Sequence, residues 1–254
     1  MSESLVLGTR NLSRYFGGLA AVRDVSIECR TREVHAVIGP NGAGKTTLIN
    51  MLSGELRPSS GTVVLQGRDV TGFPSYRMSR LGVGRSFQRT NVFLPFTAFE
   101  NCRLAAQSRL KSSMKFFRPA AANRDVNAAA ELALAAAGLE GKAQTAVETL
   151  SHGEQRQVEI AMTLATEPSV LLLDEPLAGM GAEESARIVA LLKKLAADHA
   201  VLLVEHDMDA VFAVADVLTV MVSGMVLESG TPEAIRSSQA VQQAYLGTED
   251  LAHP

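Results

Sequence analysis

Nine consecutive residues, Gly39-Pro40-Asn41-Gly42-Ala43-Gly44-Lys45-Thr46-Thr47, follow a Gly-x4-Gly-Lys-Thr pattern. Those residue types suit one task, the holding of a phosphate chain. Phosphate oxygens must touch backbone N–H groups, so side chains have to be absent at Gly42 and Gly44. The N–H groups of the loop and of a following helix N-terminus make a positive cradle. Lys45 supplies a mobile ammonium for the β- and γ-phosphates, and Thr46 offers a hydroxyl to Mg2+. The pattern needs a strand before it and a helix after it. Residues 33–38, Glu-Val-His-Ala-Val-Ile, read as a buried strand; residues 48–52 read as helix, with Gly54 placed to stop it.

Two further groups of side chains could act on the same phosphates. Asp174 and Glu175 end an apolar run, residues 169–173, of the kind expected for a strand buried on both faces. Open α/β sheets bind ligands at the carboxyl ends of their strands. There Asp174 would hold Mg2+, directly or through water, and Glu175 would polarise the water that attacks the γ-phosphate. Leu150-Ser151-His152-Gly153-Glu154-Gln155 stands just before a helix expected over 156–165, and a Ser and a Gly at a helix N-terminus form an anion site.

The elements that must position these groups follow an α/β pattern. Residues 5–10 and 62–66 read as strands; in 13–18 the aromatic pair Tyr15-Phe16 runs into a turn, and further turns stand at 57–61 and 67–69. Residues 24–30 alternate, with Val25, Ile27 and Cys29 on one face, as in a half-buried antiparallel strand. Composition changes near Gln88: residues 109–118 are basic and carry Phe116 and Phe117, and 120–137 are Ala-rich and helical, with Gly138 as C-cap. This section reads as a helical lobe, about 89–167, inserted into a core made of about 1–88 and 168–254. A helix over 183–198, a strand at Ala200–Val204, a hairpin from Val217 to residue 228 and a helical tail over 232–245 complete the single domain.

The chain has 254 residues, 46% of them hydrophobic and 20% charged, as suits a folded globule. A net charge of −3 gives no basic field calling for nucleic acid. Cys29 and Cys102 lack metal-ligand spacing and read as reduced thiols of a cytosolic protein. Met1-Ser2-Glu3-Ser4 lacks the basic and apolar regions of a signal peptide, and no apolar run is long enough to cross a bilayer. Any membrane attachment is therefore expected through a partner. The cations Arg109, Lys111, Lys115 and Arg118 have two readings: a solvated lobe surface, or a face toward anionic headgroups or a membrane partner. No internal repeat or low-complexity linker is found.

Over essentially its whole length the chain resembles an ATP-binding-cassette (ABC) ATPase. The family's Leu-Ser-Gly-Gly-Gln signature stands here as Leu150 to Glu154, with Ser151 and Gly153 kept and His152 and Glu154 departing from it. Gln88 resembles the Q-loop glutamine near Mg2+ and the attacking water, and His206, after the strand ending at Val204, resembles the switch histidine. Phe16 matches the aromatic that stacks on adenine, with Tyr15 as an alternative. Ala178-Gly179-Met180-Gly181 falls at the D-loop, without the Asp of Ser-Ala-Leu-Asp found in many relatives. The segments 16–22, 82–88, 150–155, 205–208 and 245–247 are similar to the LivG-type subunits of branched-chain amino-acid importers, with urea-type and lipopolysaccharide-export cassettes as near relatives.

The resemblance implies an α/β P-loop NTPase with a mixed central sheet, an N-terminal antiparallel β region and the helical lobe. Its ATP site comprises Phe16, Gly39, Pro40, Asn41, Gly42, Ala43, Gly44, Lys45, Thr46 and Thr47, with Ser151, Gly153 and Glu154 acting in trans from a second cassette. Glu175, His206 and Gln88 are implied in catalysis, and Thr46, Gln88 and Asp174 at Mg2+. The expected function is an ATPase driving an importer, weighed against a soluble ABC ATPase of another role and a non-hydrolysing assembly protein. The expected partners are an identical or paralogous cassette, transmembrane permease subunits and, indirectly, a solute-binding protein, at the cytoplasmic face of a bacterial membrane.

Overall fold

The computed structural model describes residues 4–88, 91–110 and 123–249. Lys111, Lys115, Arg118, Phe116 and Phe117 of the basic stretch lie outside the described residues. In chain order the elements are β1 (Leu5–Phe16), β2 (Leu19–Val25), β3 (Glu28–Arg30), β4 (Val34–Ile38), α1 (Lys45–Leu52), β5 (Ser60–Leu65), β6 (Arg68–Asp69), α2 (Ser75–Arg80) and β7 (Val83–Arg85). They continue with α3 (Ala98–Gln107), α4 (Arg124–Ala136), α5 (His152–Leu164), β8 (Val170–Asp174), α6 (Ala182–Ala196), β9 (Ala200–Val204), α7 (Met208–Val214), β10 (Val217–Val222), β11 (Met225–Gly230), α8 (Pro232–Ser237) and α9 (Gln239–Glu249).

The apolar runs become the centre of a six-stranded sheet, ordered β11-β10-β4-β9-β8-β7, parallel except for the β11 edge. Their residues alternate between two cores. Val34, Ala36, Ile38, Leu171, Leu173, Val201 and Leu203 join one cluster, which continues into α3, α4, α5, α6 and α7. Val37, Val170, Leu172, Leu202 and Val204 join the other, with α1 and the N-terminal strands. A strand buried on both faces cannot show polar alternation, which explains the unbroken Val/Leu runs. The N-terminal antiparallel sheet, ordered β2-β1-β5-β6 with β3 also on β1, lies against the second core.

Strand register brings the chemistry to one edge. Val37 pairs with Val204, Asp174 with Val204, and Ile38 with Val220. The segments after Ile38, Asp174, Val204 and Val222 therefore leave the sheet side by side. Between the parallel neighbours β7 and β8 the chain inserts α3, α4 and α5; among the described residues this insertion holds no strand beyond the single bridge Thr97–Ala146. Cys29 and Cys102 are buried and form no disulfide, and burial pushes the Cys102 thiol up to about 12.

Several local expectations are corrected. β1 runs past Arg10 to Phe16, taking in the aromatic pair before the turn at Gly17-Gly18, and β2 returns beside it. The alternating run 24–30 is two strands with a break at Ser26 and Ile27, although Val25, Ile27 and Cys29 all remain buried. Arg68 and Asp69 are strand; the turn is Gln66-Gly67, both at positive φ (48° and 77°). α5 starts at His152 rather than at 156, and the tail is two helices, α8 and α9, parted at Ser238, whose backbone is extended.

Candidate functional site

The loop over 39–47, expected to bind phosphate, owes its shape to three glycines. Gly39, Gly42 and Gly44 have φ of 152°, 78° and 98°, which L side chains rarely adopt. A Cβ on Gly39 would stand 2.1 Å from the Met221 carbonyl oxygen, and one on Gly44 2.3 Å from that of Ala21. Gly42 has nothing within 4 Å of such a Cβ, so a side chain there would project into open space over the loop. Gly44 caps α1 without a side-chain hydrogen bond and no acid stands in the first turn, so the first N–H groups of α1 keep their positive end. The β10–β11 turn staples the loop: Gly224 N–H donates to Ala43 O (3.0 Å) and Arg23 N–H to Gly224 O (2.7 Å).

A cleft of about 510 Å³ opens over this loop, lined by Asn41 to Thr47, Gln88, Glu175, Ser223 and Leu19 to Ala21. Lys45 is buried and its ammonium donates to Gly39 O (2.6 Å) and Pro40 O (3.1 Å). Burial lowers its pKa, while the carboxylates of Glu175 and Asp174 act in the opposite sense. Gln88 Nε2 donates to Glu175 Oε2 at 2.9 Å, and His206 Nδ1 lies 3.9 Å from Glu175 Oε1. Asp174, 3% exposed at the end of β8, has its pKa raised by burial and opposed by Arg85, whose Nη2 is 3.7 Å from its carboxylate. Thus Lys45, Thr46, Gln88, Asp174, Glu175 and His206 lie together at this end of the sheet. Phe16 does not line the cleft: it is exposed, opposite Leu19 in the β1–β2 register, with the Arg14 guanidinium 4.7 Å from its ring centre. Tyr15 is likewise exposed, opposite Ala20.

The signature residues form a second cradle, at the N-terminus of α5. Ser151 is the N-cap, and it shares a capping box with Glu154: Glu154 N–H donates to Ser151 Oγ (3.3 Å) and Ser151 N–H to Glu154 Oε2 (3.0 Å). Glu154 also pairs with Lys142, which together with the Ser151 N–H holds its carboxyl below the usual range. Its carboxylate, expected near the partner's ATP, accepts hydrogen bonds only and here orients Ser151. Glu184 of α6 occupies the cradle: its Oε1 accepts from Ser151 Oγ (3.1 Å) and Gly153 N–H (3.3 Å). These residues line a small recess sharing no residue with the cleft over the phosphate-binding loop.

Sequence reasoning missed four supporting residues. Arg85 bonds Ser53 Oγ and Asn50 Oδ1 (both 2.6 Å), tying the end of α1 to Asp174. Glu205, fully buried, accepts from Leu177 N–H (2.8 Å) and His206 N–H (2.9 Å), joining the segments after β8 and β9. Glu184 and Arg156 are the others. Only a polar residue directly after an apolar strand, as at Glu205, is a usable signal; Glu184 and Arg156 look like ordinary helix-surface charges.

The family model described as "ABC transporter" matches residues 22–178, and one described as "Branched-chain amino acid ATP-binding cassette transporter" matches 226–250. The chain is 39% identical to the high-affinity branched-chain amino acid transport ATP-binding protein LivG of Salmonella typhimurium, over 97% of this chain and 99% of that one. It is also 39% identical to the corresponding protein BraF of Pseudomonas aeruginosa, over 95% and 98%. Among solved structures, the ADP conformation of MJ1267, an ATP-binding cassette of an ABC transporter, superimposes with TM-score 0.86 at 29% identity, covering 97% of this chain and all (100%) of the other. A nucleotide-free cassette from an ABC transporter gives 0.85 at 28% identity, covering 95% and 99%.

Proposed function

The chain belongs to the ABC transporter family of ATP-binding proteins, and from that premise we propose that it hydrolyses Mg-ATP in a sandwich dimer to drive import of branched-chain amino acids. The observation that carries the dimer is the separation of the two anion cradles. The cleft over the phosphate-binding loop holds Lys45, Thr46, Gln88 and Glu175 but no signature residue. Ser151 and Gly153 then reach a γ-phosphate only on a second cassette, identical or paralogous. ATP becomes the glue of the dimer, because each nucleotide completes a contact that neither chain makes alone.

Within one site, Gly42, Gly44 and the N-terminus of α1 bind phosphate oxygens through N–H groups, and Lys45 leaves its own loop carbonyls for the β- and γ-phosphates. Phe16, or Tyr15, serves as the adenine platform through its exposed ring. The donors near the γ-phosphate are a hydroxyl, a carboxylate and an amide oxygen, all hard oxygens as Mg2+ prefers. Thr46, Asp174 and Gln88 would hold the ion, which when bound would neutralise charge on the transferred phosphoryl group. Gln88 spends its NH2 on Glu175, which leaves its oxygen for that role. Glu175 takes the proton of the attacking water, and His206 beside it orients the γ-phosphate.

The amino-acid reading is supported by the LivG and BraF relatives and by the family match over the tail. No helix among the described residues is long and apolar enough to cross a membrane. In this reading, which the transport relatives support, the chain works at the cytoplasmic face of the membrane through permease subunits, which a solute-binding protein feeds, and its helical lobe, about 89–167, transmits the dimer's closure to them.

Mixed dimers test the shared site. Pairing Lys45→Ala with Ser151→Arg puts both lesions at one interface site and leaves the other intact. Pairing the double variant with wild type puts one lesion in each site. With a hydrolysis-blocking phosphate analogue, the first mixture should occlude one Mg-ATP per dimer and the second none. The reverse pattern, none in the first mixture and one per dimer in the second, would mean that each chain holds a complete site.

A further inference from the structure

Arg156 is the largest fully buried side chain among the described residues, 1% exposed, one turn into α5 from the signature. A guanidinium carries five N–H donors in a planar fork. Here every one has an acceptor. Nε donates to Pro176 O (3.3 Å); Nη1 donates to Phe87 O (2.7 Å) and to Glu159; Nη2 donates to Gln88 O (3.3 Å) and Glu175 O (2.8 Å). Glu159, itself buried, supplies the counter-charge and accepts from Phe87 N–H with its other oxygen (3.1 Å).

The acceptors are not scattered. Phe87 and Gln88 belong to the segment leaving β7, and Glu175 and Pro176 to the segment leaving β8. These are the backbones on either side of the Gln88–Glu175 side-chain hydrogen bond. A packed core alone could place two strand ends near each other, but it does not fix the peptide planes from which two polar side chains spring. Four carbonyls held by one rigid fork do fix them. We infer that Arg156 is a positioning residue for ATP hydrolysis: it sets the relative placement of Gln88 and Glu175, and it ties both to the helix that carries the signature. Arg156 is buried and does not line the cleft over the 39–47 loop; it acts through the two backbones it bonds. The inference rests on the reading of Glu175 as the base.

Lysine is the informative substitution. It keeps a positive charge beside Glu159 but offers three donors from one point, so it cannot reach both pairs of carbonyls. A second variant, Arg156→Met with Glu159→Gln, removes both buried charges together and avoids the destabilisation that follows from stranding one of them. For the full-length chain, melting temperature, Mg-ATP affinity, kcat and KM are measured for wild type, both variants and Glu175→Gln. Both variants should melt as folded proteins and bind Mg-ATP within about threefold of wild type. Their kcat should fall by about ten- to a hundredfold with KM nearly unchanged, the cost of misplacing reacting groups by a fraction of an ångström. In a Glu175→Gln background, Arg156→Lys should add almost nothing, since the group it positions is already disabled. A folded Arg156→Lys with kcat within about twofold of wild type overturns the inference, as does a loss that adds in full to that of Glu175→Gln. Near-normal turnover in Glu175→Gln would instead sink the reading on which it rests.

Discussion

The two helix N-termini proposed above as anion cradles are built on opposite plans. The one at α1 is capped by a glycine, has no acid in its first turn and opens directly into the nucleotide cleft. Its donors are backbone N–H groups held by the positive φ of Gly39, Gly42 and Gly44, so the backbone is ready for an anion and only the Lys45 ammonium has to swing off its loop carbonyls. The one at α5 is capped by a Ser–Glu box and is already engaged by Glu184 from the same chain. The first suits tight, independent binding by one cassette. The second suits a contact made late, when an incoming phosphate outcompetes a resident carboxylate.

The largest expected effect separates chemistry from both cradles. Glu175→Gln keeps size and the hydrogen bond from Gln88 but cannot take a proton. Steady-state phosphate release should fall at least about a hundredfold while Mg-ATP still binds and drives dimerisation. Near-normal release would reassign the base. The next effect compares matching glycines. Gly44→Ala puts a Cβ at φ 98° and 2.3 Å from a backbone oxygen, so the loop must shift. Strain there costs on the order of 1–3 kcal/mol, and ATP affinity of the isolated chain should fall by about tenfold or more. For Gly153→Ala the nearest atoms belong to the Glu184 side chain, from 3.0 Å, the end of a flexible side chain. It should melt like wild type and bind ATP normally as a monomer, and fail chiefly in ATP-driven dimerisation. Equal loss of monomer affinity in the two variants would erase the contrast between the cradles.

The two cradles also differ in how openly the sequence declares them. Gly39, Gly42 and Gly44 are needed for steric reasons that any chain obeys, and β8 and β9 are apolar on both faces because two cores flank them. Both features survive without knowledge of the fold. α5 starts earlier than expected although Ser151-His152-Gly153-Glu154 is a capping-box pattern, a start signal that the sequence does carry. β2 and β3 read as one strand because Val25, Ile27 and Cys29 keep facing one core across the break. β7 is three residues long and includes Gly84, too short for any periodicity to register. Arg156 and Glu159 stand at i and i+3 in a helix, where charge pairs are usually a solvated face; only tertiary packing buries them. Glu184 likewise reads as a favourable acid in the first turn of α6, and its partner Ser151 is 33 residues away.

The smallest expected effect tests whether Glu184 holds the second cradle against ATP. A carboxylate and a γ-phosphate cannot both use the Ser151 hydroxyl and the Gly153 N–H, and their like charges repel. Glu184→Gln keeps an oxygen that can accept from both donors but removes the charge. If the resident carboxylate opposes docking, this variant should dimerise at lower Mg-ATP concentration, in a hydrolysis-deficient Glu175→Gln background. Charge interactions near a surface are worth about 0.2–1 kcal/mol, so the shift should be about two- to fivefold and should shrink at high salt. ATP binding by the isolated cassette should not change, because Glu184 lines the recess at α5 and not the cleft over the phosphate-binding loop. Glu184→Ala removes both charge and acceptor, and it distinguishes two roles for the contact. If Glu184 is a barrier to docking, alanine should promote dimerisation at least as much as glutamine. If the contact instead preorganises Ser151 and Gly153 for the partner's phosphate, alanine should weaken dimerisation while glutamine leaves it near wild type, and the second cradle would then be as ready-made as the first.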